Sequence, residues 1–312
     1  RVQAVYFQID SNGVDTIDIA CTNCDPTYRV TQYVDVRHFR YKGGYLYGTA
    51  GNPIGSATSE PFSATACTIE GTTLTVGGTV TGTLLPGMVL DGTVPNVVPG
   101  SKVISGSGAT WTVSQSQTIS TPQIISAVNG VDQLTPIITS AAPDNASNVW
   151  VQDIVVDYAT GAIQVVFSFV DLTGVAHSYG YAYWDGTTWN KAAIPGTNTA
   201  ALTAEHTLYA PGICLDRKRF GVVYYGLGTT TTKTDLYRAI TRDGGVSWSS
   251  QRISPHAISG AYYGGQAFRP VISRGAAGGF LLYPWGTYTF YAPGTPSYTN
   301  NGYQTEIVLQ RT

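Results

Sequence analysis

Charge is scarce in this chain. Asp, Glu, Lys and Arg make up 12% of its 312 residues, about half the share of roughly 25% found in ordinary globular proteins. The formal net charge is -2 and no Lys/Arg run occurs, so the electrostatic footprint of a nucleic-acid or anionic-membrane binder is missing. No apolar run reaches the roughly 18 residues that span a bilayer, which argues against membrane insertion, and no basic-then-apolar leader opens the sequence. The chain begins at Arg1, which fits a processed chain or the C-terminal part of a longer one. Cysteine is also sparse. Cys21 and Cys24 are close, while Cys67 and Cys214 are far apart; a zinc site wants a second close pair, so no metal and no cofactor is expected. Disulfides and small buried thiols both stay open.

What the chain has instead is 36 Gly and 21 Tyr, with Thr and Val throughout, a composition that predicts an all-β protein with many tight turns. Residues 1–20 read as a hairpin in which Val5, Phe7 and Ile9, then Ile17 and Ile19, alternate about SNG at 11–13. From there a unit recurs four times: VDVRHFRYKGGYLYG, DIVVDYATGAIQVVFS, GICLDRKRFGVVYYG and PVISRGAAGGFLLYP. Aligning the second strands puts Tyr47, Phe167, Tyr224 and Tyr283 in register, at steps of 120, 57 and 59 residues. Removing residues 63–121 brings the first step to 61. Fixed-period self-similarity with four strands per unit predicts a propeller of four to five blades, 1–62 and 122–312, with 63–121 as an inserted β-domain. A strand from each terminus, TEIVLQRT at 305–312 being the last, would close the ring and remove its edges.

A second hairpin follows each inner pair. YGYAYWDGTTWN (179–190) turns at Asp185 and Gly186, IISAVNGVDQL (124–134) turns at Asn129 and Gly130, and LYRAITRDGGVSW (236–248) is the fullest version. In its TRDGGVSW turn, Asp243 can accept backbone N–H groups, Gly244 and Gly245 permit positive φ, and Trp248 is an aromatic anchor. Thr241, Asp243, Gly245 and Trp248 resemble an Asp-box, the hairpin signature of sialidase-type β-propellers, which closes a blade and catalyses nothing. Within the insertion, GTTLTV (71–76), GMVLDG (87–92), GSKVISGSG (100–108) and WTVSQSQT (111–118) resemble a small β-module that recurs in phage tail and other virion-surface proteins. That resemblance implies a virion (tail) or extracellular location, with other tail subunits as partners.

In a propeller, the loops into the inner strands and those between second and third strands share the face opposite the Asp-box turns. This placement makes Arg37, Trp150, Asp153, His206, Tyr262, Tyr263, Arg269, Tyr288 and Tyr291 the ligand-binding candidates. Loop Tyr and Trp offer flat apolar rings to sugars at low entropic cost, so a host-surface glycan is the expected ligand. The alternative is a glycan-degrading enzyme. The sialidase resemblance implies three arginines, a Tyr–Glu nucleophile pair and an acid/base Asp, and only Arg37 and Arg269 are placed for the first role. A polysaccharide lyase would need a cation and a Tyr or His base. No catalytic residue is assigned, the reading leans away from an enzyme, and a homo-oligomer stays open.

Overall fold

The computed structural model describes residues 2–9, 15–24, 33–56, 61–91, 95–128, 130, 136–139, 148–170, 176–197, 199–200, 212–230, 233–253, 266–267, 270–272, 280–287 and 304–311. Every regular element among them is a strand, and the protein is all-β. The chain divides into two compact units, one of Arg1–Tyr6, Ala20–Arg37 and Pro136–Thr312, the other of Phe7–Ile19 and His38–Thr135.

The first sheet is ordered β1 (Val2–Ile9), β2 (Asp15–Cys24), β3 (Tyr33–Lys42), β4 (Tyr45–Gly48) and β5 (Pro53–Ser56). On β2 the face expected to be buried is not the most buried one. Thr16, Asp18, Ala20 and Thr22 are buried, whereas Ile17 and Ile19 are only half-buried. Polar partners account for this reversal. Asp18 meets His38 and Arg40, and the Thr22 hydroxyl accepts the Val151 N–H at 3.0 Å, so the inward polar groups are satisfied.

The second unit also holds a long ribbon. β6 (Phe62–Thr75) pairs antiparallel with β10 (Thr110–Val128), from Phe62↔Ala127 to Thr75↔Thr110. Short strands flank them: β7 (Val80–Thr81) on β6, and β8 (Val89–Leu90) and β9 (Val103–Ser107) on β10. The buried positions of β10 are all odd-numbered, Trp111, Val113, Gln117, Ile119, Ile125 and Ala127. Those of β6 change parity from Phe62 and Ala64 to Cys67 and Ile69, because a bulge between the Ala64 and Cys67 pairs reverses the facing of the residues beyond it. The buried Gln117 amide is satisfied locally, accepting from Val98 N–H at 2.8 Å and donating to Ser101 Oγ at 3.1 Å. Residues 124–128, expected to open a separate hairpin, belong to β10 and pair with β6 and β8; the expected turn residue Asn129 lies outside the described residues. The ribbon seats closely on β5. A Cβ at Gly87 would lie 2.1 Å from the Pro53 carbonyl oxygen, and Gly87 has φ +86, so only glycine allows this approach.

After β11 (Ile138–Thr139), which pairs with β3, the first unit is built from antiparallel meanders. One is β12 (Asn148–Asp157), β13 (Ala162–Val170), β14 (Ala176–Trp184) and β15 (Trp189–Ala193), with β16 (Thr199–Ala200) on β14. The next is β17 (Ile213–Leu215), β18 (Val222–Thr230), β19 (Lys233–Ile240) and β20 (Ser249–Arg252). A third run joins this sheet: β21 (Gln266–Ala267), β22 (Val271–Ile272), β23 (Phe280–Thr287) and β24 (Gln304–Arg311), with β23 central to the other three. Phe167, Tyr224 and Tyr283 fall on β13, β18 and β23, each of which pairs antiparallel with the strand before it in the chain.

The central strands of the two meanders are buried on both faces. Val165, Phe167 and Phe169 of β13 pack with Val149, Val151, Ala182, Ala20 and Val36. The opposite face, through Val166, Tyr179 and Tyr181, packs on Ile213, Leu215, Val223 and Tyr225 of the following meander. That meander turns its other face, with Tyr224, Cys214 and Leu236, toward Ile272. Both-face burial explains why AIQVVFSFV reads as a near-continuous apolar run without clean alternation. Of the buried Gln164 amide, Oε1 accepts from the Tyr181 hydroxyl at 2.9 Å and from Gly221 N–H at 2.8 Å, while Nε2 has no hydrogen-bond partner among the described residues.

The buried Tyr179 hydroxyl joins the two meanders, accepting the Gly212 N–H at 2.8 Å and donating to the Gly226 carbonyl at 3.0 Å. Tyr179→Phe keeps the ring and leaves both backbone groups buried without that partner. Urea denaturation should show a loss of about 1–3 kcal/mol, and an unchanged midpoint would mean that water replaces the hydroxyl without cost.

Candidate functional site

Antiparallel order puts the turns after β12, β14, β17 and β19 at one end of their sheets, and each is built on an aspartate. Asp157 accepts from Ala159 N–H at 3.0 Å and from the Thr160 hydroxyl at 2.7 Å. Asp216 accepts Lys218 N–H at 2.9 Å and Arg219 N–H at 3.0 Å, with the Arg219 guanidinium on its other oxygen. Asp185 receives Thr187 N–H at 2.8 Å, Thr188 N–H at 2.9 Å and the Asn190 amide at 3.0 Å. These are Asx-type turns, in which a short carboxylate collects the donors that a reversing backbone would otherwise leave to water.

The Thr241–Trp248 turn adds a second set of bonds. The Thr241 hydroxyl donates to Asp243 at 2.7 Å and accepts Gly245 N–H at 2.9 Å; Asp243 also holds Ser247 through its N–H, at 2.9 Å, and its hydroxyl. Gly244 and Gly245 take φ +70 and +102. Trp248 is half-buried, donates from Nε1 to the Gly245 carbonyl at 3.0 Å, and meets the Tyr181 ring edge-on at 5.2 Å and 85°. Tyr181 belongs to the preceding meander, so the turn fastens one sheet to the next. No group here is both reactive and unengaged.

The carboxylates of Asp157, Asp185 and Asp243 are held below the ordinary aspartate value. For Asp243 the leading cause is the Ser247 side-chain hydrogen bond, for Asp185 the Thr188 N–H, and for Asp157 the Thr160 hydroxyl. On the other strands, burial pushes the Tyr224 hydroxyl up to about 12 and raises the thiols of Cys67 and Cys214. Cys67 and Cys214 are free thiols, and their raised values make them poor nucleophiles.

Three of the residues nominated for ligand binding, Arg37, Trp150 and Asp153, fall among the described residues. Trp150, near the start of β12 and opposite Ser168, is half-buried. Arg37 pairs with Asp35 at 2.8 Å, with side-chain exposures of 12% and 8%. Asp153 sits at the β12 bulge, where it accepts Leu215 N–H at 3.1 Å and Arg217 Nη2 at 2.8 Å. Asp153 therefore clamps two sheets, and the partner that reveals this, Arg217, is 64 positions away in sequence. His206, Tyr262, Tyr263, Arg269, Tyr288 and Tyr291 lie outside the described residues. Among the described residues no group of three or more His, Cys, Asp or Glu side chains is arranged to hold a metal ion.

One cluster was not expected from the sequence. In the second unit, His38 Nε2 lies 2.9 Å from Asp18 Oδ1, and His38 Nδ1 lies 3.0 Å from Thr49 Oγ1. Arg40 Nε donates to the same Asp18 oxygen at 2.9 Å. The one available signal is Asp18 in DTIDIA, an acid on the same strand face as Thr16 and Thr22.

No protein-family model and no curated protein matches the chain. Among solved structures, the NanB sialidase from Streptococcus pneumoniae in complex with 2-[(3-chlorobenzyl)ammonio]ethanesulfonate aligns at 14% identity with a TM-score of 0.31, over 92% of this chain and 46% of that one. The chain thus spans less than half of that protein, and a likeness this loose carries no argument about activity.

The turn carboxylates give a pH signature. A depressed carboxylate contributes stability that is full above its unfolded value of about 4 and is lost as pH falls through its folded value. Replacing Asp185 and Asp243 by Asn should therefore flatten the decline in Tm below about pH 4 and leave its slope near pH 7 unchanged. An acid limb identical to wild type would mean that the turns bind protons equally, folded or unfolded. Trp248→Ala should cost about 2–3 kcal/mol, less than for a fully buried Trp.

Proposed function

We propose that the chain is a sialidase-like, Asp-box β-propeller of four to five blades, carrying the 63–121 module, and that it serves on a virion surface as a phage tail protein that binds a host-surface glycan. The observation that carries the fold reading is the repeated meander. β12–β15 and β17–β20 have the same strand order, bury both faces of their central strands, and place aspartate turns at corresponding hairpins. Sheets that bury both faces against their neighbours are the units from which propellers are assembled.

The binding reading rests on chemistry and on where that chemistry falls. With 12% charged residues and 21 Tyr, the surface suits an uncharged, hydroxyl-rich ligand better than a polyanion. The Asp-turn end has its polar groups tied up in its own hairpins, and the reading assigns the ligand to Trp150 together with Tyr262, Tyr263, Tyr288 and Tyr291, the last four outside the described residues. Other tail subunits are the second class of partner, and the Gly- and Thr-rich ribbon supports this. The outward residues of β10, Thr110, Thr112, Ser114, Ser116, Thr118 and Ser120, form an exposed row of hydroxyls.

The test is binding of purified host capsule or lipopolysaccharide glycans, read by calorimetry, with reducing ends and unsaturated-uronate absorbance followed in the same samples. Tyr262→Ala with Tyr263→Ala should weaken binding at least about tenfold, or about 1.4 kcal/mol, at unchanged Tm. Trp248→Ala should lower Tm and leave binding per folded molecule intact. Binding lost in Trp248→Ala at intact stability would put the ligand on the other end. New reducing ends or uronate absorbance would replace binding by degradation, and no binding by any host glycan would leave subunit packing as the role.

A further inference from the structure

The strongest unassigned chemistry is the cluster Asp18–His38–Thr49 of the second unit. The side chains of Asp18 and His38 are fully buried, while Thr49 is half-exposed in the glycine-flanked turn Gly48–Gly51 that follows β4. Three elements hold the cluster: β2 brings the acid, β3 the imidazole and the turn after β4 the hydroxyl. It does not depend on the glycan-binding reading, which concerns the first unit's loops.

Proton placement follows from the partners. An ionised carboxylate only accepts hydrogen bonds, so Asp18 fixes the neutral imidazole as the tautomer with its proton on Nε2. Arg40, whose Nε lies 2.9 Å from the same Asp18 oxygen, favours that ionised form. Nδ1 then presents its lone pair to the Thr49 hydroxyl at 3.0 Å. A hydroxyl within hydrogen-bond reach of a base, itself oriented by a buried third group, is the constellation of an activated nucleophile. In this cluster the carboxylate holds the Nε2 proton and the hydroxyl meets Nδ1, so Nδ1 is the nitrogen that can take a proton.

A purely structural role would explain why Asp18 is paired, since a buried carboxylate needs partners. It would not require the far nitrogen of His38 to end on a hydroxyl at the surface. We propose that Thr49 is an acyl-accepting nucleophile and that the cluster hydrolyses small carboxylic esters. Thr49 Oγ adds to the ester carbonyl as its proton passes to His38 Nδ1. The C–O bond to the alcohol then breaks, and the departing alkoxide takes that proton, leaving an acyl-threonine. Water, deprotonated by the same nitrogen, adds to the acyl carbon, releasing the carboxylic acid and restoring the Thr49 hydroxyl. Only ester and water are consumed.

The test is covalent labelling of the full chain with a fluorophosphonate. Thr49 Oγ would form a bond to phosphorus, with fluoride leaving and the hydroxyl proton passing to His38. The adduct is located by peptide mass spectrometry, and hydrolysis of p-nitrophenyl acetate is followed in parallel. The expected result is an adduct on Thr49 that is retained on residue 49 in Thr49→Ser, absent in Thr49→Val, and formed about 100-fold more slowly in His38→Gln, the scale of general-base assistance. If His38→Gln does not fold, the urea-unfolded wild-type chain serves as the arm without the base. No adduct on Thr49 in the folded chain overturns the proposal, as does one that forms equally fast in folded His38→Gln or in the unfolded chain. Ester hydrolysis unchanged in Thr49→Val overturns it too.

Discussion

Burial of both faces of β13 is the constraint from which the rest of the first unit derives. A strand in that position must present apolar side chains on each side, and Val165, Phe167 and Phe169 on one face and Val166 on the other do so. Its two polar side chains must then find partners inside the protein. Gln164 reaches across to Gly221 of the next meander, and Ser168 accepts from Gln152 of β12 at 3.2 Å. Neither bond adds much stability, yet leaving either group unpaired would be costly. The same logic governs Tyr179, whose hydroxyl bridges Gly212 and Gly226, and Asp153, whose carboxylate reaches Leu215 and Arg217. Gln164 Oε1, the Tyr179 hydroxyl and the Asp153 carboxylate of one sheet are each completed by the backbone or an ion of the next meander. Neighbouring sheets are therefore set in register by hydrogen bonds as well as by apolar packing.

The turns complete that arrangement at one end. A four-strand antiparallel meander with long second and third strands needs tight reversals after its first and third strands, and aspartate supplies them by accepting N–H groups that the reversal leaves unpaired. At the last of these turns, Trp248 reaches back to Tyr181, so a local hairpin device also becomes a contact between sheets. An end whose polar atoms are occupied in this way offers little to a ligand, which is the physical reason to look for recognition at the other end.

Much of this was legible in the sequence. The Thr241–Trp248 hairpin closes as its residue types require, the second-strand aromatics Phe167 and Tyr224 lie on corresponding strands, and residues 305–311 pair as a strand with β23. The departures share one cause, in that a side chain's facing depends on partners distant in the chain. Ile17 and Ile19 were the natural inward residues of β2, but Asp18 finds His38 and Arg40 and Thr22 finds Val151, so the polar face is the more buried one. Residues 124–128 continue a ribbon whose other strand begins at Phe62, and their partners Phe62, Ser63 and Ala64 lie far back in the chain. Arg37 and Asp153 carry the residue types of a binding site, yet Arg37 is held by Asp35 two positions before it and Asp153 by Arg217, a partner that no local pattern discloses.

The central claim is that the meanders are cooperative, repeated sheets locked face to face. Native-state hydrogen exchange, resolved to the amides of β13, β18 and β14, tests this most directly. The account predicts that all three exchange only through a common opening whose free energy equals that of global unfolding, and that Tyr179→Phe lowers it by the same amount in both meanders. Exchange of β18 through a separate, lower-energy opening, with β13 still protected, would contradict it and reduce the meanders to independent sheets.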